Sequence, residues 1–179
     1  GTQFGLVFST MGIASLFMPT LTGILADRWV NAEKLYGILH ILYALVLFYL
    51  PQITTPDNFI YVMLLAMCCY MPTIALSNSI SYNALKLNNC DVVKDFPPIR
   101  VFGTIGFIVA MWITNLTGNK ASAYQFYIAG VAAIGLGLYA FSLPKCKPQN
   151  LTKENASFME LMGLESFILF AHFYMALFF

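Results

Sequence analysis

The stretch Asp95-Phe96-Pro97-Pro98-Ile99-Arg100-Val101-Phe102-Gly103-Thr104-Ile105-Gly106-Phe107 places a guanidinium at the entrance of an apolar segment that runs on to Leu116. A segment of that length crosses a bilayer, since a span needs roughly 20 apolar residues at about 1.5 Å each. An arginine in such a helix costs several kcal/mol unless it faces a cavity, a partner or a substrate. Two roles fit Arg100: a functional group facing a ligand, or a side chain that snorkels to phosphates from a position about two residues inside the span.

The remainder of the chain has the same character. With 59% hydrophobic and only 9% charged residues, its 179 residues hold too little polar surface to cover a soluble domain. The net charge of +1 leaves no clustered basic face of the kind a nucleic-acid partner requires. Cys68, Cys69, Cys90 and Cys146 lack metal-ligand spacing and read as reduced packing residues; no metal or cofactor is expected. Neither the His-Glu pattern of an intramembrane metalloprotease nor a Gly-x-Ser with a His is present, so an enzyme is not expected. The opening Gly1-Thr2-Gln3 has no starting Met, and the final Met175 to Phe179 run has no polar flank, so the chain reads as cut at both ends.

The predicted fold is all-α, a polytopic helical membrane protein. Five spans are expected: 4–26, 35–50, 59–84, 98–116 and 124–143. The separators are short, which makes successive helices antiparallel neighbours. The first, third and fifth hold Arg28, Lys34, Lys86, Lys94, Lys145, Lys147 and Lys153, whereas the second has no Lys or Arg and the fourth only Lys120. That asymmetry puts those three loops in the cytoplasm. Residues 144–156 read as a cytoplasmic loop, and 157–179 as an interfacial helix leading into a further span.

Ser9, Thr10, Gly12, Ser15, Thr20, Thr22 and Gly23 in the first span are expected to allow close helix approach and to offer hydroxyls across helix contacts. Asn78, Ser81 and Tyr82 either line the cavity or, the favoured reading, hydrogen-bond between helices, and His40 is expected to be a packed or interhelical residue. Pro19 and Pro72 each free a carbonyl and permit a bend. On the fourth span Arg100, Thr104 and Phe107 follow i, i+4, i+7 and share one face, while Gly103, Gly106 and Ala110 form a smooth second face for a neighbouring helix. A fork of donors, a hydroxyl and a flat apolar ring together suit a small ring-shaped ligand bearing hydroxyls or carbonyls.

Gly23-Ile24-Leu25-Ala26-Asp27-Arg28 closes the first span with an acid and a base. This segment resembles the Gly-x-Leu-Ala-Asp-Arg loop between the second and third helices of the major facilitator superfamily, although Val30, Asn31 and Ala32 replace the usual following Gly and basic pair. The resemblance implies that Gly23, Asp27 and Arg28 form a gating loop, with Asp27 meeting a helix N-terminus in the other half, as suits an anion at a helix dipole. It also implies that the five spans are helices 2 to 6 of the N-terminal half of that bundle.

The Arg100 to Phe107 run is similar to helix 5 of proton-coupled sugar permeases. The fuller resemblance is to the nucleoside:proton symporter family, carried by Met11 to Asp27, Met71-Pro72-Thr73, Asn78 to Tyr82 and, most specifically, Asp95-Phe96-Pro97-Pro98-Ile99-Arg100. It implies Arg100, Thr104 and Phe107 as nucleoside-contacting positions, with Arg100 also taking part in proton coupling. It further implies a protonatable Glu on helix 8, amide ligands on helix 7, a C-terminal half as partner, and residence in a bacterial cytoplasmic membrane. The coupling ion is then a proton. Sugar uptake or drug efflux on the same fold is the alternative, because fold alone does not set substrate.

Overall fold

The computed structural model describes residues 2–118 and 122–146, with side chains from residue 5 onward. Five helices follow one another: α1 (Thr2–Arg28), α2 (Ala32–Tyr49), α3 (Pro56–Leu87), α4 (Val92–Leu116) and α5 (Tyr124–Ala140), with a 3-10 turn at Leu50–Gln52. The first four are long and apolar enough to cross a membrane. The fifth has 17 residues, about 25 Å of helix, and lies at the lower limit of a span. The expectations for the Lys147 to Lys153 loop, for 157–179 and for Lys120 fall outside the described residues.

Two extensive helix pairs, α1 with α3 and α2 with α5, are joined through α2 and α3. The α2–α5 pair is built on glycine. A Cβ on Gly37 would lie 2.9 Å from the Gly137 carbonyl oxygen, and one on Gly130 would lie 2.8 Å from the Phe48 ring. Hydrocarbon supplies no hydrophobic drive for helices to associate, so such close van der Waals approach is what holds a pair together in lipid. Rings complete the seam: Phe48 stacks on Tyr127 at 6.1 Å, and Phe126 meets Phe59 edge-on at 6.4 Å.

Three apolar clusters run along the bundle. Leu47, Leu50 and Ala66 pack at the Tyr49 end, Ala14, Met67 and Met71 in the middle, and Ala26, Leu35, Leu39, Leu76, Ile80 and Cys146 at the Arg28 end. Pro72 is fully buried. Its missing N–H leaves the Cys68 carbonyl without a helical donor.

The span hydroxyls do not reach across helix contacts as expected. Ser9, Thr10, Ser15 and Thr22 donate instead to the carbonyls of Leu6, Val7, Met11 and Met18 on their own helix, at 2.6–2.8 Å. Ser81 likewise donates to the Ser77 carbonyl at 2.8 Å, and Tyr82 packs its ring edge-on to Phe96. The reason is proximity, because a carbonyl three or four residues back is always within reach of a helical Ser or Thr. His40 is buried as a packing residue, with Nδ1 at 3.1 Å from the Tyr36 carbonyl and its ring against the Tyr36 ring. Of the four free cysteines, Cys90 is exposed and does not pack as expected, since it lies in the short loop before α4.

Helix α4 begins six residues earlier than the expected start at Pro98. Asp91 is its N-cap, accepting from the Val93 N–H at 2.9 Å, while Asp95 reaches back to accept from the Asp91 N–H at 2.9 Å. Two of the orphan donors of the first turn are thereby satisfied by anions at the positive end of the dipole. Pro97 and Pro98 then lie inside the helix, where their absent N–H groups free only the Val93 and Lys94 carbonyls. Replacing Asp91 by Ala should lower stability by about 1 kcal/mol. A thermal shift in detergent indistinguishable from the parent would show that the cap contributes nothing.

Candidate functional site

Helix α4 positions Arg100, Thr104 and Phe107. From the cap onward it is a continuous helix, so the three side chains lie on one face spanning about 10 Å along the axis. All three are exposed. Asp95 lies in the first turn of α4, and Arg100 stands five residues further on, about 7.5 Å along the axis. Among the described residues the guanidinium has no hydrogen-bond or ion-pair partner. Its five donors are thus available to a ligand or to groups outside the described residues.

The same face continues past Phe107 to Met111 and Thr114, and there it becomes the wall of a cleft of about 690 Å³. The opposite walls are Tyr43 and Leu47 from α2, Met63 from α3, and Gln125, Phe126 and Ala129 from α5. The lining is mainly apolar, with Thr114, Asn115 and Gln125 as its polar points. This composition is typical of a site that holds a small molecule by shape and orients it with a few polar groups. Phe107 belongs to the cleft, whereas Arg100 and Thr104 stand below it on the continuation of the stripe.

The expected glycine face of α4 is unpartnered among the described residues. A Cβ on Gly103 or Gly106 would meet nothing within 4 Å, because α4 packs chiefly along α3 and not one of its residues is buried. The smooth packing surface is therefore at α2–α5, where the sequence reading did not place it.

Gly23, Asp27 and Arg28, expected to form a gating loop, lie apart from that face, at the end of α1. Gly23 is half-buried, and Asp27 and Arg28 are exposed on the last turn. The connection to α2 is only Trp29, Val30 and Asn31, tied back by the Trp29 and Val30 N–H groups to the Leu25 carbonyl at 3.0 Å each. Among the described residues the Asp27 carboxylate has no hydrogen-bond or ion-pair partner. An anion displayed in this way suits a helix N-terminus outside the described residues. Two polar residues near it escaped the sequence reading. Glu33 and Asn83 both reach Cys146, through 2.9 Å and 3.0 Å hydrogen bonds, across separations that no local pattern reveals.

A bundle of antiparallel, membrane-length helices, with an acid-base loop closing α1 and an arginine-bearing α4, defines a polytopic membrane protein of the major facilitator superfamily. The family model described as Nucleoside H+ symporter matches residues 1–179, and the chain belongs to that family. It is 47% identical over 179 residues to the xanthosine permease of Escherichia coli K12, covering 100% of this chain and 43% of that protein. To the nucleoside permease NupG of the same organism it is 44% identical, again over 100% of this chain and 43% of the relative. A crystal structure of a point mutant of the nucleoside transporter NupG superposes with a TM-score of 0.86 at 43% identity, covering 98% of this chain and 44% of that one. The chain thus spans less than half the length of the relatives it matches, and corresponds to their N-terminal part.

Proposed function

We propose that this chain forms part of a carrier that takes up nucleosides together with protons across a bacterial cytoplasmic membrane. The observation that carries the reading is the stripe on α4: an exposed guanidinium without a partner among the described residues, a hydroxyl one turn on, and an exposed phenyl ring at the mouth of an apolar cleft. Membership of the nucleoside H+ symporter family and the names of its relatives support the substrate class. Phe107 stacks on or packs against the nucleoside, Thr104 hydrogen-bonds it, and Arg100 donates to its oxygens.

Arg100 is also the fixed positive charge against which a protonatable acid is balanced. As the family resemblance implies, that acid belongs to the second half; α4 itself carries no acid beyond Asp95. When the acid is ionised the two attract, and when it is protonated the guanidinium is released to the substrate; proton and nucleoside binding are thereby linked. Two halves rocking around this site expose it alternately to either side. The loops bearing Arg28, Lys86 and Lys145 are cytoplasmic, and Asp27 closes that side by meeting a helix N-terminus of the other half.

The test is labelled uridine uptake by the full-length carrier in cells lacking nucleoside carriers, with and without an uncoupler. Uptake that collapses with the proton gradient is expected. Good membrane expression without uridine uptake would overturn the reading and turn attention to sugars as the next ligands to try.

A further inference from the structure

The chain leaving α5 does not run straight off the bundle. After the turn at Ser142 and Leu143 it folds back, and the Cys146 N–H donates to Oε2 of Glu33 at 2.9 Å. The other carboxylate oxygen of Glu33 accepts from Asn31 Nδ2 at 3.0 Å. From the end of α3, Asn83 Nδ2 donates to the Cys146 sulfur at 3.0 Å, and the thiol itself turns to the Pro144 carbonyl.

Glu33 is only 3% exposed and Cys146 8%, the latter set beside Ala26, Ala32, Leu35, Leu76 and Ile80. Among the described residues Glu33 has no ion pair; its charge is met by N–H donors alone. Burying a carboxylate without a cation is costly. The acid is favoured here by the N-terminus of α2, whose first turn it occupies, and by what it binds, since a charged acceptor holds a backbone N–H about twice as strongly as a neutral one.

The two segments joined in this way are the loop that follows Asp27 and the chain that follows α5. We propose that Glu33 is a positioning residue for the gate, whose carboxylate, with Asn83, pins the chain leaving α5 to the α1–α2 loop so that both move as one body. This inference rests on the transport reading above. Its physical content is mechanical. Tension that the second half transmits along the chain acts at Cys146, which is hydrogen-bonded directly to Glu33 just after the loop that follows Asp27, and not at the end of a loose tether.

Cys146 supplies the assay. Burial pushes its thiol up from the ordinary cysteine value, with the Asn83 hydrogen bond opposing and the Glu33 charge adding to the rise. The clamped cysteine is therefore a poor nucleophile and should react slowly with maleimide. In the full-length carrier with Cys146 as the sole cysteine, Glu33→Ala should raise the rate of modification by a fluorescent maleimide at least about tenfold, the loss of one charged hydrogen bond. Per molecule in the membrane, it should lower the maximal rate of uridine uptake while leaving KM unchanged, because Glu33 is remote from the α4 face. Glu33→Gln keeps one acceptor oxygen but neither the charge nor the second acceptor, and should give intermediate values of both readings.

If Glu33→Ala fails to reach the membrane, Glu33→Asp keeps an acid at the start of α2 but is one methylene short of the Cys146 N–H, and should also speed modification. Cys146 reacting in both variants as slowly as in the parent would overturn the clamp. Faster modification with an unchanged maximal uptake rate would overturn its role in the gate. Labelling does not depend on which solute is carried, so failure of the nucleoside reading leaves the clamp separately measurable.

Discussion

Arg100→Ala should abolish concentrative uridine uptake by the full-length carrier while the protein still reaches the membrane in full amount. The two halves of that expectation have different physical origins. Insertion is not harmed because removing an arginine from membrane depth relieves a penalty, about 2.5 to 3.5 kcal/mol on insertion scales. Local folding is not harmed either, since Arg100 is exposed and unpartnered among the described residues and α4 is ordered by its own cap. What is lost is binding and coupling. A hydrogen bond to a charged donor is worth about 1.5 to 3 kcal/mol, or roughly 10- to 150-fold in affinity. Loss of the fixed charge also removes the electrostatic balance on the proton site. Arg100→Lys should be intermediate, retaining the charge but not the planar fork. The measurement is accumulation ratio at matched membrane content. Accumulation of uridine against its gradient by Arg100→Ala would sink the assignment.

The helices themselves were legible because their signal is composition over twenty residues, which neighbouring residues cannot easily overrule. The order of the spans, the Asp27 loop and the α4 stripe all follow from that reading. The start of α4 did not. Pro97-Pro98 reads as a break between spans, yet the residues that start the helix are Asp91 and Asp95, and prolines are tolerated near a helix start when only one turn of carbonyls is freed. The direction of the hydroxyls was likewise hidden, since a Thr on a helix face can bond across or back and only the three-dimensional neighbours decide.

Contacts between segments far apart in the chain were the least visible. Glu33 looks like a loop acid beside Lys34, and nothing near Cys146 marks it as the partner. Gly103 and Gly106 look like a packing motif because they are close in sequence, whereas the glycines that do meet, Gly37 and Gly137, lie far apart in the chain on separate helices. A glycine signals contact only when the opposing backbone is known.

That pair yields the other large effect. Gly37→Leu or Gly137→Leu should eliminate most of the folded protein, seen as loss of the monodisperse peak in detergent. A Cβ on Gly37 would be 2.9 Å from the Gly137 carbonyl oxygen and 3.0 Å from the Phe141 ring, and one on Gly137 would be 3.0 Å from Ile41 and 3.1 Å from the Gly37 carbonyl oxygen. The ring could turn aside, but two carbonyls belonging to helices cannot, so the helices must separate. Overpacking costs about 1 to 3 kcal/mol when neighbours adjust, and more when they are rigid. In lipid the loss spreads along the seam, because van der Waals contact is the attraction that moving apart removes. Gly135→Leu is the control: it lies on the same helix, it is exposed, and its Cβ would meet nothing within 4 Å. It should fold like the parent or better, having exchanged a poor helix former for a good one. If all three variants behave alike, close approach of α2 and α5 is not what holds this half together. If only the Gly37 and Gly137 variants fail, that seam also sets where α5 ends, and with it the distance over which Glu33 can reach Cys146.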